Sequence, residues 1–152
     1  MRSITCADIE RVVGEELGLS EWLVIDQGRV NRFADATDDH QWIHVDPARA
    51  GAELGGTIAH GFLILSLIPA LRDQVYEVTD MVRELNYGLD RVRFVRPVPV
   101  GRRIRLRLTL NNAARRPDGG VLLTLGCVLE LEGDPKPACV ADFRVVAYSL
   151  AA

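Results

Sequence analysis

A change of period limits what this chain can fold into more than any other feature. Residues 58–71, IAHGFLILSLIPAL, are almost wholly apolar. A helix apolar on every side belongs in the middle of a domain. Small Gly61 and Ser66 let neighbouring backbone come close, and Pro69 either kinks that helix or ends it. From Asn86 onward the apolar spacing drops to two. In GRRIRLRLTL, Ile104, Leu106, Leu108 and Leu110 take one face, and Arg103, Arg105 and Arg107 take the other. RPVPVG forms a bent lead into that strand. GGVLLTLGCVLELEG and PACVADFRVVAYSL read as two more long strands, set off by turns at RPDGG and GDPKP. One helix is thus followed by three or four long antiparallel strands. Curving the sheet around the helix buries both. The expected class is α+β, a curved antiparallel sheet wrapped around one central apolar helix.

Upstream, TCADIERVVGEELG reads as a helix capped by Thr5 and stopped by Gly18, which gives a helical N-terminal segment over about residues 1–20. EWLVI is a short strand candidate. DQGRVNRFADATDD is a second helix, capped by Asp26, with Val30, Phe33 and Ala34 on one face. DPARAGAEL is a short helix with Asp46 as cap and Pro47 at its first position. There is no internal repeat or low-complexity stretch, and 152 residues suit a single domain over 1–152.

A hydrophobic fraction of 48% with 26% charged residues is that of an ordinary globular chain. A net charge of −3 argues against a nucleic-acid partner. The charge is uneven, however. Residues 1–90 hold 7 Arg against 16 acids, and residues 91–152 hold 11 basic residues against 5 acids. Nine arginines and no acid lie between Arg91 and Arg116. They read either as a solvated strand face or, in part, as contacts for an anion such as a phosphate. Cys6, Cys127 and Cys139 are odd in number and widely spaced, with no CxxC pair. The N-terminal residues are charged and lack the apolar core of a signal peptide. The longest apolar run is too short to span a bilayer. Together these point to a reducing cytoplasm and no membrane span.

The chemistry concentrates in DDHQWIHVDP, residues 38–47. Asp38, Asp39, His40 and His44 fall within seven residues, with Trp42 among them and Asp46 just beyond. Asp39 and His44 are five residues apart on a post-helix loop, a spacing that lets a carboxylate and an imidazole flank one water. Those two groups are the best suited to pass protons near neutral pH. Two other uses fit the same residues. The acids can end and solvate a helix while His44 sits satisfied in the core. His40, His44 and Asp46 can hold a metal, although no third strong ligand stands at a standard spacing. GGTIAHGF, residues 55–62, adds a second cluster. It puts Gly61 near the first turn of the apolar helix, where unpaired N–H groups and the positive helix end favour an oxyanion. Gly permits close approach, and a side chain at 61 is expected to fill the space in front of those N–H groups. His60 either orients that loop or packs.

These residues carry a resemblance. ATDDHQWIHVDPARA resembles the hydratase motif of MaoC-like proteins, in particular the NodN-like branch. GGTIAHGF is similar to the start of their central helix, and NYGLDRVRFVRPVPVGRRIRLRL to the strand and Pro-Val-Gly turn that follow. The similarity runs over roughly residues 20–148. It implies the hot-dog fold, a homodimer, and an (R)-specific enoyl-CoA hydratase with no cofactor beyond the coenzyme A of its acyl-CoA substrate. It also implies no metal. On the matching positions it makes Asp39 and His44 catalytic and Gly61 the oxyanion donor. Gln41, Trp42, His60 and Phe62 become substrate-binding. Asp38 departs from the Gly usual before the catalytic Asp. The same site chemistry leaves open an acyl-CoA thioesterase, or a non-catalytic acyl-binding accessory protein.

Overall fold

A computed structural model of the chain describes residues 1–149; the last three, including the final residue of the expected terminal strand, lie outside the described ones. In chain order the elements are β1 (Arg2–Ile4), β2 (Glu16–Leu19), β3 (Leu23–Val24), α1 (Gln27–Thr37), α2 (Trp42–Val45), α3 (Pro47–Leu54), α4 (Gly61–Ser66), α5 (Ile68–Arg72), β4 (Tyr76–Val78), β5 (Met81–Phe94), β6 (Arg103–Arg115), β7 (Val121–Leu131) and β8 (Cys139–Ser149).

Four long strands, β5 to β8, form the expected antiparallel sheet with the short β2 on one edge, in the order β2-β6-β7-β8-β5, and β3 is also joined to β6. The register explains the core. Leu106 faces Leu129 and Leu110 faces Leu125 across β6 and β7; Leu123 faces Val145 and Leu125 faces Phe143 across β7 and β8. Apolar rows therefore line up on one side of the sheet. Ile104, Leu106, Leu108, Leu110, Leu123 and Leu125 have no exposed surface. Leu63 and Ile64 of α4, Ile68 and Leu71 of α5, and Leu67 between them belong to the same core. The arginines alternate onto the other side, where Arg105 meets Glu130 at 2.7 Å and Arg107 meets Glu16 at 2.9 Å. Most of the basic segment is thus the solvated strand face.

Three expectations are corrected. The helix read over residues 5–18 is not formed. Ile9–Val12 makes a single 3-10 turn, and Glu16–Leu19 is a strand on the edge of β6. Gly14 and Gly18 take positive φ, +88° and +143°, which breaks a helix at both points and lets Gly14 N–H bond to Leu110 O at 2.7 Å. The open edge of β6 supplies partners that a lone helix would lack. The apolar helix is also shorter and less enclosed than expected. Residues 57–59 run extended beside residues 98–100, with Ala59 N–H on Val98 O and Val100 N–H on Thr57 O, so α4 begins only at Gly61. The run splits at Leu67, two residues before Pro69, which enters α5 without an N–H to give. Finally, the helix is not buried all round. Phe62 is 68% exposed, and Ser66 and Ala70, on the same face at steps of four, are exposed as well. Edge strand β5 does not fold over that face.

Candidate active site

The site is built where α1 ends and α4 begins. Asp26 caps α1 by accepting from Arg29 N–H at 2.7 Å. Asp38 terminates it at φ +58°, in the left-handed region. Gly is favoured there, and Asp is among the few other residues that adopt it readily, so Asp38 serves as a helix stop that turns the chain into Asp39. After a short loop comes α2, whose third residue is His44. As expected, Asp46 caps α3 with Pro47 at its first position, Asp46 accepting from Arg49 N–H at 3.0 Å.

His44 is 7% exposed. Its Nδ1 lies 2.7 Å from the carbonyl oxygen of Ile58. A carbonyl only accepts, so in the neutral ring Nδ1 carries the hydrogen and Nε2 keeps its lone pair. Burial holds the ring's pKa below the ordinary imidazole value, with the nearby His60 acting in the same direction; the Ile58 bond and the Asp39 charge oppose this. An Asp39 carboxylate oxygen, a His44 ring nitrogen and a His60 ring nitrogen lie within 4.8 Å of one another. His44 and His60 stack, with centroids 3.8 Å apart and planes 26° from parallel. In-plane lone pairs on such rings run side by side and do not converge on one ion. His44 Nδ1 and His60 Nε2 are also committed to backbone carbonyls. The geometry is that of an imidazole pair beside a carboxylate rather than of a chelate.

His44 and Gly61 open on a common cavity of about 300 Å³, walled also by Ile58, Ile64, Phe94 and Arg96. A second, more apolar groove of about 510 Å³ is lined by Phe33, Phe62, Leu65, Pro69, Leu89 and Phe143. Phe62 and Phe94 meet edge to face at 5.7 Å, one ring on each cavity. The structure thus brings Asp39, His44 and Gly61 together. Phe62 belongs to the neighbouring groove. Gln41 is exposed, and its backbone carbonyl accepts from His44 N–H. Trp42 lies under the Arg49 guanidinium, 4.1 Å from its ring centroid, and lines neither cavity. His60 is 2% exposed, stacks on His44 and lines neither cavity. His40 leaves the cluster to pair with Asp35 at 3.0 Å.

Several groups of the candidate site carry no plain signal in the sequence. Gln27 donates to the His44 carbonyl at 2.7 Å and accepts from Thr57 at 2.5 Å, bracing the loop from α1. The Ile58 carbonyl leaves no trace in residue types. Phe94 and Arg96 lie in RVRFVRPVPVG, where Phe interrupts a basic run just before the Pro-rich bend, the one available hint.

A curved sheet around a short helix, with a carboxylate and an imidazole at the helix mouth, is the hot-dog layout. The chain belongs to the MaoC-like family: the profile described as "MaoC like domain" matches residues 8–122. It is 50% identical over 143 residues to 3-hydroxyacyl-thioester dehydratase Z of Mycobacterium tuberculosis (strain CDC 1551 / Oshkosh), covering 93% of this chain and 94% of that one. It is 44% identical over 149 residues to Nodulation protein N of Rhizobium leguminosarum bv. viciae, covering 96% and 92%. The structure of the (R)-hydratase from A. caviae, described as involved in PHA biosynthesis, superposes with a TM-score of 0.70 at 25% identity, covering 88% of this chain and 94% of that one.

Two outcomes are expected from this geometry. A Cβ at Gly61 would sit 3.1 Å from the Phe94 ring, so it is this ring, and not open cleft, that a side chain meets. Gly61→Ala should cost about 1 kcal/mol through overpacking, the low end because half-exposed Phe94 can yield. In a double-mutant cycle with Phe94→Ala, thermal or denaturant melts should show a coupling of at least about 0.5 kcal/mol; strict additivity would mean that the two residues do not touch. The second concerns pH. The unfolded chain protonates His44 more readily than the folded one, so the stability tied to neutral His44 is complete above the unfolded value, about 6.5. It is lost as pH falls through the lower folded value. The Tm gap between wild type and His44→Gln should therefore narrow from pH 7 to pH 5. His40, which titrates in the opposite sense through Asp35, is common to both proteins.

Proposed function

We propose that the protein reversibly hydrates trans-2-enoyl-CoA to (R)-3-hydroxyacyl-CoA. The observation that carries this reading is the His44 Nδ1–Ile58 hydrogen bond, which leaves Nε2 as a proton acceptor on a ring that lines the cavity and lies close to the Asp39 carboxylate. The dehydratase and (R)-hydratase names of the relatives support the same reaction.

The step balances with these residues alone. A water lies between the Asp39 carboxylate and His44 Nε2. Its oxygen bonds to C3 of the enoyl group while Nε2 takes one of its protons. The π electrons move onto the thioester oxygen as an enolate, which accepts a hydrogen bond from Gly61 N–H at the start of α4. The enolate then collapses, and C2 takes back from the His44 imidazolium the proton that the water gave up, on the same face. Asp39 orients the water through its second hydrogen and stabilises the transient imidazolium. No cofactor enters the step. The acyl chain follows the apolar groove beside Phe62 and Leu65, and Arg96, held only loosely to Asp134 at 3.6 Å, meets the anionic end of coenzyme A.

The working unit is a homodimer in a reducing cytoplasm. β5 is an edge strand whose outer side is unpaired, and its Val82, Leu85, Tyr87 and Leu89 are 54%, 53%, 56% and 41% exposed. A long apolar edge is a liability unless something pairs with it, and a second copy does so by symmetry. No helix among the described residues is long and apolar enough to cross a membrane, and the three cysteines are buried and unpaired.

Loss of absorbance of crotonyl-CoA on hydration tests the reaction, and a thiol assay for released coenzyme A separates it from thioester hydrolysis. Asp39→Asn and His44→Gln should each lower kcat about 10²–10⁴-fold with the fold retained. Near-native kcat in either folded variant would remove that residue from the mechanism. For the dimer, Leu85→Arg should shift the sedimentation coefficient from dimer to monomer at micromolar concentration; a wild-type monomer under the same conditions would refute the assembly.

A further inference from the structure

His60 sits where an apolar side chain would pack more cheaply. It is 2% exposed, and its Nδ1 is buried with no hydrogen-bond partner among the described residues. A buried polar atom without a partner carries a desolvation cost that a Phe or Leu at this position would avoid. The other atoms of the ring show what a histidine supplies. Nε2 lies 2.9 Å from the backbone carbonyl of Asp39, which can only accept, so Nε2 donates. One ring face stacks on His44 at 3.8 Å, and Phe33 packs at 5.0 Å in a tilted contact. One side chain therefore grips the backbone of the candidate carboxylate and the flank of the candidate base. No smaller or purely apolar residue reaches both.

We propose that His60 is a positioning residue, tying Asp39 to the flank of the His44 ring and thereby fixing the gap in which the reacting water is held. It does not bind substrate, because it lies outside the lining of both cavities. This rests on the reading of Asp39 and His44 as the reacting pair. The titratable and charged groups facing His44 are Asp39 from the loop after α1, His60 from the turn before α4, and Arg96 across the cavity. Of these, His60 alone both covers the ring and holds a second member of the site. Through the stack it keeps water from one side of His44, consistent with the direction in which that ring is shifted.

Two variants separate the two grips. His60→Phe keeps a ring on His44 and loses the donor to Asp39. His60→Gln keeps an amide donor and loses the ring. Crotonyl-CoA hydration gives kcat and KM, and NMR titration of the His44 ring protons gives its midpoint without any turnover. In His60→Phe the His44 midpoint should stay low while kcat falls by up to about 10²-fold and KM is nearly unchanged, the cost of a misplaced reacting group. In His60→Gln the His44 midpoint should rise toward the ordinary imidazole value, and the acid limb of kcat/KM should move with it. The wild type supplies a check that needs no variant: ¹⁵N NMR should find the Nδ1–H tautomer at His44 and the Nε2–H tautomer at His60. The opposite tautomers would overturn the proposal. So would two folded variants whose kcat and His44 midpoint both match wild type. A wild type that shows these tautomers and the expected His44 shifts but never hydrates crotonyl-CoA would sink the hydratase reading and leave the role of His60 standing.

Discussion

Three apolar strand faces share one short helical run as their cover. Ile104, Leu106, Leu108 and Leu110 of β6, Leu123, Leu125 and Leu129 of β7, and Val145 of β8 are all at most 1% exposed. What reaches them from the other side is the stripe Leu63 to Leu71, with Ile9, Ile25, Val30 and Tyr76 in the same cluster. Each such side chain contributes about 1.5–3 kcal/mol when fully buried. A flat sheet would leave its outer strands beyond the helix and forfeit several of these contributions, so the sheet bends. Bending still leaves a strand outside. β2 is short and tied down by Glu16 to Arg107. β5 is long and keeps its apolar side chains in the open, and the helix face turned away from the sheet, at Phe62, stays open with it.

The same packing decides where chemistry can occur. Because residues 57–59 are held extended against residues 98–100, α4 starts abruptly at Gly61 and the Ile58 carbonyl is left to accept from His44. A backbone group on one segment thus sets the tautomer of a side chain on another. Burial works with it. Enclosing the imidazole disfavours its charged form, and a neutral ring with Nδ1 already bonded is by default a base at Nε2. The position that makes His44 part of the core is the position that would make it a base in the proposed reaction. The role proposed for His60 extends this logic one residue outward, with a buried nitrogen that has no partner among the described residues.

What could be read from the sequence was whatever depends on local period or local capping. The alternation in β6, the Asp26 and Asp46 caps, Pro47 at the head of α3, and the Asp39 and His44 pair are all carried by residues within one turn or one loop. What could not be read depends on distant partners. TCADIERVVGEELG has a helical pattern, but β6 offers an open ladder edge that outbids it once Gly14 and Gly18 turn the chain. Trp42, beside two titratable residues, has the look of a pocket wall until Arg49, seven residues on, covers it. Gly61 was legible as a glycine that something must approach. That the something is Phe94, across the sheet edge, is a tertiary fact. The apolar run suggested a fully enclosed helix because hydropathy does not say how much cover the rest of the chain can supply.

The missing cover also bears on how substrate enters. The two cavities meet at the edge-to-face pair of Phe62 and Phe94, with the reactive groups behind one ring and the apolar groove behind the other. Among the described residues Phe62 is the most exposed of the large apolar ones after Met1, and Phe94 closes the edge strand that the proposed dimer would pair. A second copy joined along β5 by a twofold axis would bring its own bare helix face to the same side, since an isologous interface presents identical patches to each other. Hiding the apolar edge and roofing the acyl groove would then be one event. With the exposed face of α4 beside the open outer edge of β5, such an association would complete the proposed binding groove.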